Sequence, residues 1–246
     1  MNDVEELRSM IEKARRIVFF GGAGVSTESG IPDFRSEDGL YRQHFRYPPE
    51  VILSHSFFLQ NPEEFFRFYR EKMLYLTAKP NAAHQVLARM ERYGKLSCVI
   101  TQNIDGLHQT AGSRRVWELH GSVHRNYCMK CGRFYDVSAV ANSHGIPRCS
   151  CGGIIKPDVV LYEEPLNDQT TAAAIEEIRK ADLLLVAGTS LSVYPAAGLL
   201  DYLKDGKLVL VNASPTSRDK EADLLIPGKI GEVLTELDQR KMERND

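Results

Sequence analysis

Leu7, Met10, Ile11 and Ala14 recur at helical spacing behind Asn2, whose side chain can cap a first turn, so the chain opens on an amphipathic helix. The helix runs into Ile17-Val18-Phe19-Phe20, an unbroken apolar run of strand-forming residues, and then into Gly21-Gly22-Ala23-Gly24. A strand ending in a glycine turn is expected there, followed by a helix start. Further unbroken apolar runs predict strands at Leu96–Thr101, Val159–Leu161, Leu183–Ala187 and Leu208–Val211. Asn61-Pro62-Glu63-Glu64 combines an N-cap, a first-turn proline and acidic residues, and predicts a helix to about Thr77. Pro80-Asn81 opens another that Gly94 ends, and helices are expected over 168–181, 195–204 and 231–243. Residues 36–60 keep no clean period. Apolar strands alternating with helices imply a parallel sheet covered on both faces, an α/β doubly wound domain interrupted by two insertions.

Composition narrows the class. The 246 residues suffice for one sizeable core, and 43% hydrophobic with 26% charged residues is the balance of a globular protein. Thirty-one basic against thirty-three acidic residues give a net charge of -2, so no basic excess points to nucleic acid or an anionic membrane. No apolar run is long enough to span a bilayer, and the charged residues 1–16 are unlike a secretory signal. A cytoplasmic location is expected, with no direct nucleic-acid or membrane partner.

Cys128-x2-Cys131 and Cys149-x-Cys151 stand seventeen residues apart in a glycine-rich stretch too poor in apolar residues to pack itself. In a chain without a secretory signal, four such thiolates suit one tetrahedral zinc better than two disulfides. Four protein ligands leave no open position, so the metal is expected to be structural. Cys98, inside an apolar strand, is expected to be packing, and His124 and His144 surface residues.

Strand, Gly22-Ala23-Gly24, then a helix start is a recipe for a pyrophosphate site, although Thr27 stands where a dehydrogenase fingerprint needs glycine. No acidic residue follows a second strand at the spacing that binds a ribose, which counts against hydride transfer. Gly188-Thr189-Ser190 and Asn212-Ala213-Ser214 also follow apolar strands, at the ends where ligands bind in open α/β sheets. Asn103, Asp105 and His108 follow a third, and His120 precedes the cysteine module. Either histidine could serve as a general base near neutrality, and residue chemistry alone does not choose between them.

Gly22–Arg35, Thr101–His108, Glu118–Gly121 and Gly188–Ser192, with the cysteine module between the last two, together resemble the sirtuin family of NAD-dependent protein lysine deacylases. The resemblance covers about residues 5–235. It implies a Rossmann-type domain (1–35, 80–121 and 158–246), a flexible helical and cofactor-loop insertion (36–79) and a zinc-ribbon small domain (122–157). It also implies NAD+ as co-substrate, structural Zn2+ on Cys128, Cys131, Cys149 and Cys151, and an acyl-lysine peptide bound as an added β-strand. In the family's reaction the acyl oxygen attacks the nicotinamide ribose, nicotinamide leaves, and the acyl group ends on ADP-ribose.

Carried over by position, His120 is the general base and Asn103 holds the ribose and a water. Ile104 and Asp105 would bind the nicotinamide carboxamide. Ala23, Gly24, Ser26 and Thr27 would line the phosphates, and Asp33, Phe34 and Arg35 belong to the cofactor loop. Gln102, Gly188, Thr189, Ser190, Asn212 and Ser214 complete the phosphate and adenosine site, with Lys229 and Ile230 near adenine. Phe34, Val160, Leu161 and Tyr162 face the substrate. Glu163 stands where the family commonly has glycine. Phe66 and Tyr69 occupy the positions of a Tyr and an Arg in members that favour acidic acyl groups, so acetyl or longer apolar groups are expected; both also read as core aromatics of an amphipathic helix. Mono-ADP-ribosyl transfer and non-catalytic acyl-lysine binding are the competing readings.

Overall fold

The computed structural model describes residues 2–34, 39–40 and 46–242. Nine strands are assigned among them: β1 (Ile17–Gly21), β2 (Leu96–Thr101), β3 (Val116–Glu118), β4 (Gly121–Cys128), β5 (Phe134–Asp136), β6 (Ile155–Val159), β7 (Leu183–Ala187), β8 (Lys207–Asn212) and β9 (Leu224–Pro227). The α-helices are α1 (Asp3–Lys13), α2 (Pro49–Ile52), α3 (His55–Gln60), α4 (Pro62–Lys72), α5 (Ala82–Arg92), α6 (Leu107–Thr110), α7 (Ser138–Ala141), α8 (Asp168–Arg179) and α9 (Ile230–Met242).

Six strands form a parallel sheet in the order β3-β2-β1-β7-β8-β9. The strand period of two divides its side chains between two cores. Ile17, Phe19, Leu183, Leu185, Val209 and Val211 pack on one side with residues of α1, α5 and α9. Val18, Phe20, Leu184, Val186, Leu208 and Leu210 pack on the other with α8 and a 3-10 helix at Ala196–Tyr202. Burial on both faces is why these strands are apolar throughout. From β1 the chain builds outward through β2 and β3, then returns to β7 on the other flank. The carboxyl ends of β1 and β7 therefore flank a topological switch point, where such sheets leave a crevice.

The second sheet is antiparallel, in the order β5-β4-β6. It does not stand on its own core. Val123, Cys128, Ile155 and Val159 share one apolar cluster with Ile52, Phe57, Phe58, Phe65, Phe66 and Tyr69 from the helical insertion. Gly121, where the chain enters this sheet, has φ +77, and a Cβ there would lie 1.9 Å from the Asp158 carbonyl oxygen.

Three local expectations change. The strand expected at Val159–Leu161 ends at Val159 and belongs to the antiparallel sheet, because Ile155–Val159 alternates buried and half-buried positions against β4. The short strands β3 and β9 escaped a reading based on longer apolar runs. Residues 36–60, without a period, hold α2 and α3, which are four and six residues long and too short to show one.

Candidate active site

A cavity of about 320 Å³ lies past the carboxyl ends of β1, β2 and β7. Ala23, Gly24, Ser26, Asp33, Phe34, Gln102, Asn103, Ile104, Asp105, His120, Gly188, Thr189 and Ser190 all line it. Val160, Leu161 and Tyr162 line it from the segment after β6. Residues drawn from five separate sequence segments thus meet at one place. Arg35 lies outside the described residues.

The glycines allow the strand ends to touch. A Cβ on Gly24 would lie 2.8 Å from Gly188 Cα, and one on Gly188, at φ +60, would clash still more closely with Val25 N. The helix start expected after the turn is instead two single 3-10 turns, Ala23–Val25 and Thr27–Ser29. The N–H groups of Gly22, Gly24, Val25 and Ser26 already bond to Ala187, Gly188, Gly22 and Ala23 carbonyls.

Side chains form a connected network at the floor. Gln102 Nε2 donates to Thr189 Oγ1 at 2.9 Å, and Thr189 N–H donates to Asn212 Oδ1 at 3.0 Å. Asn103 Nδ2 donates to Ser26 Oγ at 3.0 Å, and Ser26 Oγ donates to Asp105 Oδ2 at 2.7 Å. Asp105 Oδ1 accepts the Leu107 N–H at 2.9 Å. Asn212 sits at the end of β8 and is buried, and its Nδ2 has no partner among the described residues. Such a buried donor calls for a partner, which a polar ligand or a water could supply.

The structure separates the two candidate bases. His108 is 1% exposed, neither of its nitrogens has a partner among the described residues, and its ring lies against Phe19 and His84 at centroid distances of 6.0 and 4.7 Å. It does not line the cavity. His120 does, on the turn from β3 to β4, with Nδ1 2.9 Å from the Gln102 carbonyl oxygen. A carbonyl only accepts, so Nδ1 carries the proton and Nε2 presents a lone pair. Burial pushes the His120 pKa below its ordinary value, against the Gln102 hydrogen bond, which raises it. The imidazole is therefore neutral at pH 7.

Other expected residues, Asn212 among them, do not line this cavity. Thr27 turns its hydroxyl to the Gly24 carbonyl, Ser214 and Lys229 are exposed, and the Ile230 side chain is inside the core beneath the sheet. Phe66 and Tyr69 are fully buried in an aromatic cluster with Phe58 and Phe65, and neither lines the cavity. His124 is exposed as expected, yet its Nε2 lies 3.0 Å from the Asp105 carbonyl oxygen, tying β4 to the cavity loop. Val193, Tyr194 and Pro195 also line the cavity and had no signal beyond their nearness to Gly188–Ser192.

In the small sheet the Sγ atoms of Cys128, Cys131, Cys149 and Cys151 all lie within 4.8 Å of one another. A tetrahedral zinc with bonds of about 2.3 Å needs sulfur–sulfur edges of about 3.8 Å. The observed 3.4 Å (Cys128–Cys151) and 3.6 Å (Cys131–Cys149) fit that shape, and all four thiols are free of disulfides. The Cys151 N–H and the Tyr135 hydroxyl lower the Cys149 pKa while the neighbouring sulfurs raise that of Cys151, as expected of four thiols crowded into one site. The four residues fit a structural zinc.

The Sir2 family pattern matches residues 22–195. The chain belongs to the Sir2 family. An NAD-dependent protein deacetylase of Clostridium acetobutylicum is 58% identical over 238 residues, covering 95% of this chain and 97% of that one. An NAD-dependent protein deacylase of Archaeoglobus fulgidus is 46% identical over 243 residues, 96% and 95% of the two chains. A solved Sir2 with p53 peptide and NAD+ superposes with a TM-score of 0.89 at 39% identity, covering 98% and 99%.

Proposed function

We propose that this sirtuin removes acetyl and other apolar acyl groups from protein lysine side chains at the expense of NAD+, with His120 as general base. The observation that carries the reading is His120 itself. It is a neutral imidazole on the cavity wall whose tautomer is set by the Gln102 carbonyl. NAD, when bound, supplies the ribose carbon from which nicotinamide departs and the hydroxyl that accepts the acyl group.

The chain's own residues do the rest. His120 Nε2 takes the proton of that hydroxyl, which is general-base work. Asn103, its amide nitrogen held by Ser26, presents its side-chain oxygen to a ribose or a water. Ile104 and Asp105 hold the nicotinamide carboxamide, and Phe34 closes over the reacting carbon and keeps water out. Ala23, Gly24, Ser26 and Thr27 border the phosphates. Since most turn amides are bonded internally, Ser190, Thr189 and the open Nδ2 of Asn212 supply polar contacts, with Gly188, Gln102, Ser214 and the Lys229–Ile230 backbone toward adenosine. Asp33 and Arg35 complete the cofactor loop.

A peptide lying as an added strand along Val160–Tyr162 would gain affinity from backbone bonds with little sequence demand. Four protein thiolates hold zinc away from the chemistry and leave it no catalytic position. We read 1–35, 80–121 and 158–246 as the NAD-binding part, 36–79 as the helical insertion and 122–157 as the zinc ribbon.

The test is an acetyl-lysine peptide incubated with and without NAD, both products followed by mass spectrometry. Peptide deacetylation with matching acetyl-ADP-ribose is expected, and His120→Ala should lower the rate about 10²–10⁴-fold. NAD breakdown with the peptide intact would instead indicate ADP-ribosyl transfer.

A further inference from the structure

After β6 the chain passes Val160 and makes a turn from Leu161 to Glu164, closed by the Glu164 N–H on the Leu161 carbonyl oxygen at 3.0 Å. Glu163 occupies the third position of this turn at φ 74. That conformation is ordinary for glycine and costly for a residue with a side chain. Glu163 and Leu191 are the non-glycine residues with positive φ among the described residues, and both flank the cavity segment. A strained residue at such a place persists only where its surroundings over-determine it.

The surroundings are supplied by the helical insertion. Glu163 Oε2 accepts the Ser56 N–H at 2.8 Å and Oε1 accepts the Ser56 hydroxyl at 3.0 Å. Beside it the backbone forms a bridge: Tyr162 N–H donates to the Leu53 carbonyl oxygen and His55 N–H donates to the Tyr162 carbonyl oxygen, both at 3.0 Å. Glu164 completes the seam, with Oε1 2.7 Å from His55 Nδ1 and Oε2 accepting from Lys156 Nζ at 3.1 Å and Leu161 N–H at 2.8 Å. Both backbone groups of Tyr162 and of Leu161 are thus taken, and the Val160 N–H donates to the His120 carbonyl oxygen, so an added peptide strand is left the Val160 carbonyl and the backbone groups of Glu163.

We infer that Glu163 is a positioning residue for the peptide: its two-point contact with Ser56 latches the strained substrate turn to the helical insertion and presents the segment already ordered. The inference rests on the deacylase reading. Without the latch the turn must be ordered when peptide binds, and that ordering is subtracted from affinity. Glu163 lines the cavity from the segment proposed to face the peptide, so the expected effect falls on peptide binding and not on NAD. The carboxylate acts as a double acceptor and not as a lure for basic substrates, which separates this role from simple charge attraction.

Three variants test it. Glu163→Gln keeps one oxygen for the Ser56 N–H and an amide group from which the Ser56 hydroxyl can accept, and should raise the KM for an acetyl-lysine peptide least of the three. Glu163→Gly loses the latch but suits the turn, and should raise that KM modestly. Glu163→Ala loses the latch and keeps the strain, and should raise it most, about tenfold, as loss of a charge-assisted hydrogen bond implies. The KM for NAD and kcat should stay constant throughout. Glu163→Gln as impaired as Glu163→Ala, or kcat falling while both KM values rise, would overturn the latch. Hydrogen exchange at the Ser56 and Tyr162 amides provides a readout independent of turnover. Faster exchange in Glu163→Ala than in wild type or Glu163→Gln supports the latch even if the wild type proved inactive on acyl-lysine, and unchanged exchange overturns it.

Discussion

At the scale of single residues, the hydrogen bond from His120 Nδ1 to the Gln102 carbonyl oxygen, 2.9 Å long, sets both the tautomer and the direction of the working nitrogen. Gln102 in turn anchors to the other half of the sheet through Thr189, so the proposed base is braced across the switch point. Burial lowers the His120 pKa, and the neutral form is the one the proposed general base requires. Activity should therefore rise with pH through a value below 6.5, the ordinary imidazole pKa. A kcat/KM profile for acetyl-lysine peptide with an acid limb centred above 7 would contradict this. Cys98 belongs to the same scale: fully buried in β2, with its thiol pushed up to about 12 by desolvation, it is inert packing.

Among the elements, β4 has the widest reach. At one end His124 and Val123 bond the backbone of Asp105 and Ile104 on the cavity floor, and at the other Cys128 joins the thiolate cluster. Its apolar residues pack on Phe57, Phe58, Phe65 and Phe66 rather than on a core of the small sheet's own. Zinc binding is folding energy for such a sheet. Chelation or Cys149→Ser should loosen β4, β5 and β6 and the insertion helices together, while the six-stranded sheet persists. Hydrogen exchange resolved along the chain checks this: early loss of protection at β4 with β1 and β7 still protected is expected, and simultaneous loss everywhere would refute the coupling. The same packing explains why Phe66 and Tyr69 are core residues here and not pocket residues.

For the whole molecule, pH-dependent stability is concentrated in buried histidines. Desolvation pushes His84 down to about 4 and lowers His108 well below its ordinary value, with the neighbouring His84 adding to the effect. Both are neutral when folded and would bind protons near pH 6.5 when unfolded. The unfolded state therefore takes up more protons as pH falls, and stability present above about 6.5 is lost progressively toward 4. Each such histidine contributes up to about 1.4 kcal/mol per pH unit across that window. Thermal melts between pH 7 and 5 should show a falling Tm, with a shallower slope in His108→Phe. An unchanged slope in that variant would remove His108 from the account.

Much of this protein is legible along the chain. The runs at Ile17–Phe20, Leu96–Thr101, Leu183–Ala187 and Leu208–Val211 are strands that, apart from Ser97 and Thr101, are apolar because both faces of the sheet are covered. The cysteine spacing and the long matched motifs marked the metal cluster and the family without coordinates. Tertiary structure decided what depends on neighbours far apart in sequence. It placed His120, the base expected from the resemblance, on the cavity wall and buried His108 away from the cavity, a separation residue chemistry alone could not make. It assigned Ile155–Val159 to the antiparallel sheet, since a short apolar segment carries no record of which strand it will meet. It also gave Glu163 a partner in Ser56, 107 positions away. Local sequence encodes propensity and burial, whereas the partner of a side chain is fixed only when the chain closes on itself.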